Sequence, residues 1–339
     1  MTPSRSAALL AIFTLALSLP ARADEAREGV FRTRLLTSDG VHAGLYRYVP
    51  EVGATSTAVL LFPDVGMSHR AFDHQGRGLA RFLKQKGLET FVLEYRGAGI
   101  SDVPFGGFTL TDLALKDAEA AFARAATGKA AVYLGGCGFG ATLALLLAAR
   151  HPGAVKGVVA LQPVLTLDLP NEPMAKLLEA VAMAPGWIDL PSLSKQELFA
   201  GRSWFEVLIA NDGTVAEGVA EDFRSRVLTP LPRRLLQELA GFMREKKLEI
   251  DGAEVKVQVA SWKGPTLVVY APRDNWVHPE FATPIRDVLG RARLTVKVLN
   301  RAEGASLDYG HLGLLIGSRA EREIWTPVLR FLQAGAVAL

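Results

Sequence analysis

The sequence predicts an α/β fold: a doubly wound, mostly parallel sheet into which a helical cap is inserted. Three observations predict it. From residue 40 to 162, short apolar runs alternate with longer stretches of helical periodicity. The runs around Leu60, Val132 and Val159 are continuously apolar, as strands covered on both faces of a parallel sheet must be. The alternation then breaks near Pro163 and resumes at Pro265. A chain of 339 residues, 49% hydrophobic and 22% charged, suits one large α/β domain with an insertion. A core of that size is stable without disulfides or metals.

Taken in order, the first 23 residues stand apart. Arg5 gives a positive start, Ala7 to Leu19 form an apolar run, and Pro20 ends it. Ala21-Arg22-Ala23 then fits the small-x-small site of a secretory signal, which predicts cleavage before Asp24 and an exported, periplasmic or secreted protein. The run is about 13 residues, too short for the roughly 18 to 20 that span a bilayer, so no stable membrane span is expected. Removing residues 1–23 takes away Arg5 and Arg22 and leaves 36 basic against 35 acidic residues. So even a balance carries no signature of nucleic-acid binding. Cys137 is the single cysteine and has no partner for an intramolecular disulfide.

Residues 24–163 form the first part of the core. Expected strands are Gly44 to Val49, Ala58 to Phe62, Thr90 to Tyr95, Ala131 to Gly135 and Gly157 to Leu161. Expected helices are Phe72 to Lys86, Asp112 to Ala126 and Ala141 to Arg150. Residues 164–262 carry Pro170, Pro173, Pro185, Pro191, Pro230 and Pro232 between helical stretches such as Met174 to Met183 and Arg234 to Lys247, and they form the cap. Residues 263–339 return to the core with a strand from Pro265 to Tyr270, a helix near Pro279 to Leu289, a strand from Arg293 to Leu299 and a helix from Arg319 to Gln333.

The most informative segment runs from Ala131 to Pro152: a buried strand enters the turn Gly136-Cys137-Gly138-Phe139-Gly140 and leaves as a helix. It resembles the nucleophile elbow of α/β hydrolases, Gly-x-Ser-x-Gly, with Gly138 where the serine belongs. Glycines two residues either side are needed because side chains there collide with the tight turn. An alternative register makes Cys137 the nucleophile but puts Phe139 in a crowded flank, so the steric argument favours Gly138. In that register the pleat turns Cys137 away from the catalytic face, as a small buried hydrophobe. The thiol stays open as a nucleophile, since cysteine occupies this elbow in dienelactone hydrolases and polyhydroxyalkanoate synthases.

Three further segments carry the same resemblance. Glu94-Tyr-Arg-Gly-Ala-Gly-Ile-Ser101 is similar to a loop that flanks the elbow. Pro265 to Asp274 resembles the strand and turn bearing the triad acid, and Gly310 to Trp325 resembles the histidine loop of the lipase and polyhydroxyalkanoate-synthase-like branch. The resemblance implies Asp274 as the acid and His311 as the base, in the family's order; Asp308 reads as a turn or capping residue. It also implies an oxyanion hole made by the N–H groups of Val65 and Phe139. No cofactor or metal is implied.

Two catalytic elements depart from the pattern. Gly138 has no side chain, so the acid and base are left without a tethered nucleophile. After Ala58 to Phe62 the chain reads Pro63-Asp64-Val65-Gly66 where relatives carry His-Gly. Asp64 either faces solvent as a turn residue or brings a carboxylate to the oxyanion site, where it would oppose catalysis. Three readings follow: an esterase-like hydrolase working through Cys137 or histidine-activated water, a non-catalytic protein binding a small apolar or acyl ligand in the inherited pocket, or an acyl-CoA polymerase, which export argues against. A serine restored at Gly138 is expected to raise ester hydrolysis, partially while Asp64 stays.

Overall fold

A computed structural model describes residues 28–166, 181–183, 186–197, 201–210, 213–277, 282–290 and 292–337. The expected signal segment, residues 1–23, and most of the expected helix Met174 to Met183 lie outside them. Eight strands form one sheet: β1 (Val30–Leu36), β2 (His42–Tyr48), β3 (Thr57–Phe62), β4 (Glu89–Glu94), β5 (Ala131–Cys137), β6 (Val155–Leu161), β7 (Pro265–Tyr270) and β8 (Arg293–Val298). Their order is β1-β2-β4-β3-β5-β6-β7-β8. β1, β2 and β4 pair antiparallel, and every pair from β4 to β8 is parallel.

The continuous apolar runs become the central strands because both faces of the sheet are covered. Leu60, Phe62, Leu134 and Val158 point to one core and Val59, Leu61, Tyr133 and Val159 to the other, the period-two alternation of a strand. Helices α2 (Ala118–Ala126) and α3 (Phe139–Arg150) cover the first face. Helices α1 (Leu79–Gln85) and, at the C-terminus, α10 (Thr326–Val337) cover the second, so the sheet is doubly wound.

Two elements differ from expectation. β1 is a strand that sequence reading left out: most of its side chains are exposed, so Val30-Phe-Arg-Thr-Arg-Leu-Leu36 carries no buried run, and its pairing with β2 defines it. The helix expected from Phe72 begins only at Leu79. Gln75 and Gly76 take positive φ, and His74 and Arg77 close a turn through reciprocal backbone hydrogen bonds of 2.9 Å, which interrupts the helix.

Between β6 and β7 lie α4 (Trp204–Leu208), α5 (Glu217–Val227), α6 (Arg233–Glu245) and α7 (Val255–Val259), with only two-residue strands among the described residues. Ser203 and Glu206 form a capping box that starts α4. α6 buries Leu235, Leu236, Leu239 and Ala240 along one face. This segment is bonded to the sheet's loops: Ser68 N–H donates to Val227 O at 2.8 Å, Thr229 N–H to Gly66 O at 2.8 Å, and Leu312 N–H to Ile209 O at 3.1 Å. It therefore sits over the carboxyl ends of the strands, where open α/β sheets place their sites. α8 (Ala282–Val288) follows β7, and α9 (His311–Ile316) follows β8.

Candidate active site

The turn between β5 and α3 keeps the geometry of a nucleophile elbow. Gly138 takes φ +55° and ψ −127°, the strained conformation in which the residue at such a turn is held. A Cβ on Gly136 would lie 2.4 Å from the Gly140 carbonyl carbon, and one on Gly140 would lie 2.2 Å from Phe62 O. Both flanks of Gly138 therefore require glycine, and the backbone fits the register that places Gly138 at the nucleophile position. Cys137 is the last residue of β5, is 2% exposed and packs with Tyr133 and Leu161 in the core on the α1 side of the sheet. Burial pushes its thiol well above the ordinary range, with the Asp64 charge adding to the shift. Such a thiol is inert.

The loops after β7 and β8 bring Asp274 and His311 together. Leu299 N–H donates to Tyr270 O, and Arg273 N–H to Tyr309 O, each at 2.8 Å, so the two loops are laced side by side. His311 Nδ1 is 2.8 Å from Asp274 Oδ2, and both side chains are buried. Asp274 Oδ1 accepts from Trp276 N–H at 2.7 Å and Val277 N–H at 2.8 Å. Its Oδ2 also accepts from Gln162 Nε2 at 2.6 Å. Gln162 follows β6 with φ +52°, a conformation uncommon for a side-chain-bearing residue, and its Oε1 accepts from Ala271 N–H at 3.0 Å. Sequence reasoning missed Gln162; the one available signal was a polar side chain at the end of a buried strand. Asp308 caps a turn instead, accepting from Arg301 N–H at 2.9 Å.

Opposite this pair stands Asp64. It is 3% exposed, and its Oδ1 accepts from Val65 N–H and from Phe139 N–H, both at 2.8 Å. These are the two donors that the resemblance assigns to the oxyanion hole, and one oxygen of Asp64 takes both. Its Oδ2 lies 3.6 Å from His311 Nε2. A Cβ on Gly138 would fall 2.1 Å from that same Oδ2. The carboxylate thus fills the volume that a side chain on residue 138 would take. The first turn of α3 favours an anion there, and the bare Gly138 leaves the room. Burial pushes the Asp64 carboxyl up to about 6, against the opposing pull of His311 and the two N–H donors.

Above Asp64 lies an apolar cavity of about 80 Å³. Val65, Phe139, Trp204, Leu228, Leu231 and Trp276 help line it, and Asp64 is its charged group. Trp204, which sequence reading did not single out, is buried and its indole N–H has no acceptor among the described residues. Glu94 holds the neighbouring loop: its Oε1 is 2.7 Å from His69 Nδ1 and its Oε2 accepts from Ile100 N–H at 3.0 Å. Among the described residues, no group of three His, Cys, Asp or Glu side chains is placed to hold a metal, and no helix is long and apolar enough to cross a membrane.

Solved structures share this architecture at low identity. A thermophilic esterase from Thermogutta terrifontis is 16% identical, with 90% of this chain and 99% of that one covered and a TM-score of 0.63. A monoacylglycerol lipase from Paleococcus ferrophilus is 15% identical, with 90% and 99% covered and a TM-score of 0.59. A bromoperoxidase from Bacillus anthracis is 14% identical, with 89% and 100% covered and a TM-score of 0.63. No curated protein matches the chain significantly. Residues 57–283, more than half of the chain, match the family described as the alpha/beta hydrolase fold. With its mostly parallel sheet, its elbow and the order of its motifs, the chain belongs to the α/β-hydrolase family.

Proposed function

We propose that this protein takes a small apolar molecule into the cavity over Asp64 and does not hydrolyse esters through a seryl or cysteinyl enzyme. One observation carries the reading: Asp64 Oδ1 accepts both N–H groups that an ester oxyanion would need. An acyl substrate's developing charge would meet a carboxylate in place of two donors, which removes the largest electrostatic contribution to such catalysis. The buried Cys137 offers no replacement nucleophile. The cavity supports ligand binding, because its walls are aliphatic and aromatic and its polar groups are few. Its present volume, about half that of a cavity of roughly 150 Å³ that admits benzene, suits a short ligand. We place the protein outside the cytoplasm, with a mature chain beginning at Asp24; intact mass of exported material retaining residues 1–23 would refute that placement.

The functional test combines labelling, turnover and binding on the purified mature chain. A fluorophosphonate and iodoacetamide should label no site residue, and short p-nitrophenyl esters should turn over barely above background. Short alcohols and alkanes should quench the emission of Trp204 and Trp276 saturably. Robust ester turnover abolished by Cys137→Ala would overturn the reading, as would the absence of any saturable quenching.

A further inference from the structure

We infer that the ligand of this cavity is a small cation, an alkylammonium whose charged head meets Asp64 and whose apolar tail fills the space above it. The inference names the ligand class of the apolar-ligand site read above, and it rests on that reading. It starts from a balance of charge. Two buried carboxylates flank one imidazole: His311 Nε2 is 3.6 Å from Asp64 Oδ2, and its Nδ1 is 2.8 Å from Asp274 Oδ2. An imidazole carries at most one positive charge, so with both carboxylates ionised the group stays negative whatever the state of the ring. The remaining side-chain partners of the two aspartates are neutral. They are the N–H groups of Val65, Phe139, Trp276 and Val277 and the amide of Gln162.

The unbalanced charge faces the cavity at Asp64. Asp274 has both oxygens bonded, whereas Asp64 borders the cavity and its Oδ2 accepts from neither backbone N–H. Among the described residues, no Lys, Arg or His lines that cavity, so the compensating charge is left to the ligand. A buried carboxylate without a full partner is costly, and a cation entering beside it removes part of that cost. An ammonium supplies N–H donors for a charge-assisted hydrogen bond to the carboxylate. The walls fit the rest of such a molecule. Leu228, Leu231 and Leu236 face an alkyl tail, and Phe139, Trp204 and Trp276 add rings, which attract a cation within about 6 Å of a ring centre. A carboxylate ligand, the acid that ester hydrolysis releases, would meet Asp64 as a like charge. The competing class is a neutral alcohol, which could donate to Asp64 and accept from the Trp204 indole N–H, a buried donor with no acceptor among the described residues.

Three probes of one length separate these classes: propylammonium, propan-1-ol and propionate, titrated into the mature chain at pH 8 and followed by tryptophan emission and calorimetry. Propylammonium should bind at least about tenfold tighter than propan-1-ol, the difference a charged hydrogen-bond partner makes. Propionate should bind more weakly than either. Propylammonium affinity should also rise about tenfold from pH 5 to pH 7, because burial pushes the Asp64 carboxyl up to about 6 and only its ionised form pairs with the cation. Asp64 is faced by His311 on α9, Asp274 after β7, Cys137 on β5 and Tyr95 after β4. Burial keeps the Cys137 thiol and the Tyr95 phenol neutral across that range. Protonation of His311 or Asp274 as pH falls weakens cation binding in the same sense. Asp64→Asn should bind propylammonium no tighter than propan-1-ol and lose the pH dependence, while its propan-1-ol affinity stays within about threefold of the wild type. The wild-type ratio and its pH dependence stand without the variant. Propan-1-ol binding as tightly as propylammonium, or propionate binding tightest, would overturn the inference and leave the pocket reading intact. Saturable binding of none of the three would remove both.

Discussion

His311 stands between two buried aspartates whose surroundings differ. Asp274 is satisfied on both oxygens, by His311 and Gln162 on one and by two backbone N–H groups on the other. Asp64 is equally hidden from water but satisfied on one oxygen, and its other faces His311 at 3.6 Å, beyond an ordinary hydrogen bond. The first corner is a finished electrostatic support of the kind that orients a histidine. The second is a carboxylate held at higher energy, with its carboxyl pushed up to about 6 by burial. The difference teaches that one histidine lies between two buried carboxylates held on unlike terms, one with both oxygens bonded and one with a single oxygen bonded.

The sharpest way to break the comparison is to remove the finished corner. Asp274→Ala would leave Gln162 Nε2, two N–H groups and His311 without their acceptor. The expected loss is about 4 kcal/mol of unfolding free energy in urea, since breaking a buried pair strands its partners. A loss under about 1 kcal/mol would mean the corner relaxes easily and is not the rigid half of the site.

The unfinished corner should be visible in the pH dependence of stability. Asp64 titrates near its ordinary 3.8 when unfolded and at about 6 when folded, so the folded state binds the proton more tightly. A raised carboxyl pKa gives stability that is present below the unfolded value and is lost as pH rises through the folded one. Asp64→Asn keeps the acceptor for both N–H groups and cannot ionise. The variant should match the wild type near pH 4 and exceed it by about 3 kcal/mol at neutral pH. A gap that stays constant from pH 4 to 7 would show that Asp64 is not held at higher energy.

Much of this is legible in the sequence. Continuous apolar runs gave β3, β5 and β6, because a strand buried on both faces has no room for polar side chains. Gly136 and Gly140 marked the elbow because a Cβ at either would overlap backbone. What stayed hidden depends on partners distant in sequence. β1 is a strand only through β2, and the positive φ of Gln162 serves hydrogen bonds to residues more than a hundred positions away. The orientation of Asp64 was open for the same reason: solvent and the oxyanion site are both local options, and only the empty space at Gly138 and the N–H of Phe139 decide between them.

The last test asks whether the Asp64 corner can be made to hydrolyse esters, and here the geometry revises the expectation drawn from sequence. Sequence reasoning has Gly138→Ser alone raising ester hydrolysis. In the structure the serine Cβ would meet Asp64 Oδ2 at 2.1 Å, so the substitution forces one of the two groups to move before any hydroxyl can reach His311. The single variant should therefore stay at background toward p-nitrophenyl acetate and lose about 2 kcal/mol of stability from crowding and the strained φ of +55°. Asp64→Gly alone should free Val65 N–H and Phe139 N–H but supply no nucleophile. Together the two changes restore a hydroxyl beside His311 and an empty pair of donors, and neither gain is realised without the other. The double variant should exceed either single one by roughly a hundredfold, about 2.7 kcal/mol of transition-state stabilisation. Rates that instead combine additively would show that Asp64 and residue 138 do not compete for one volume, and the contrast between the two corners would lose its structural basis.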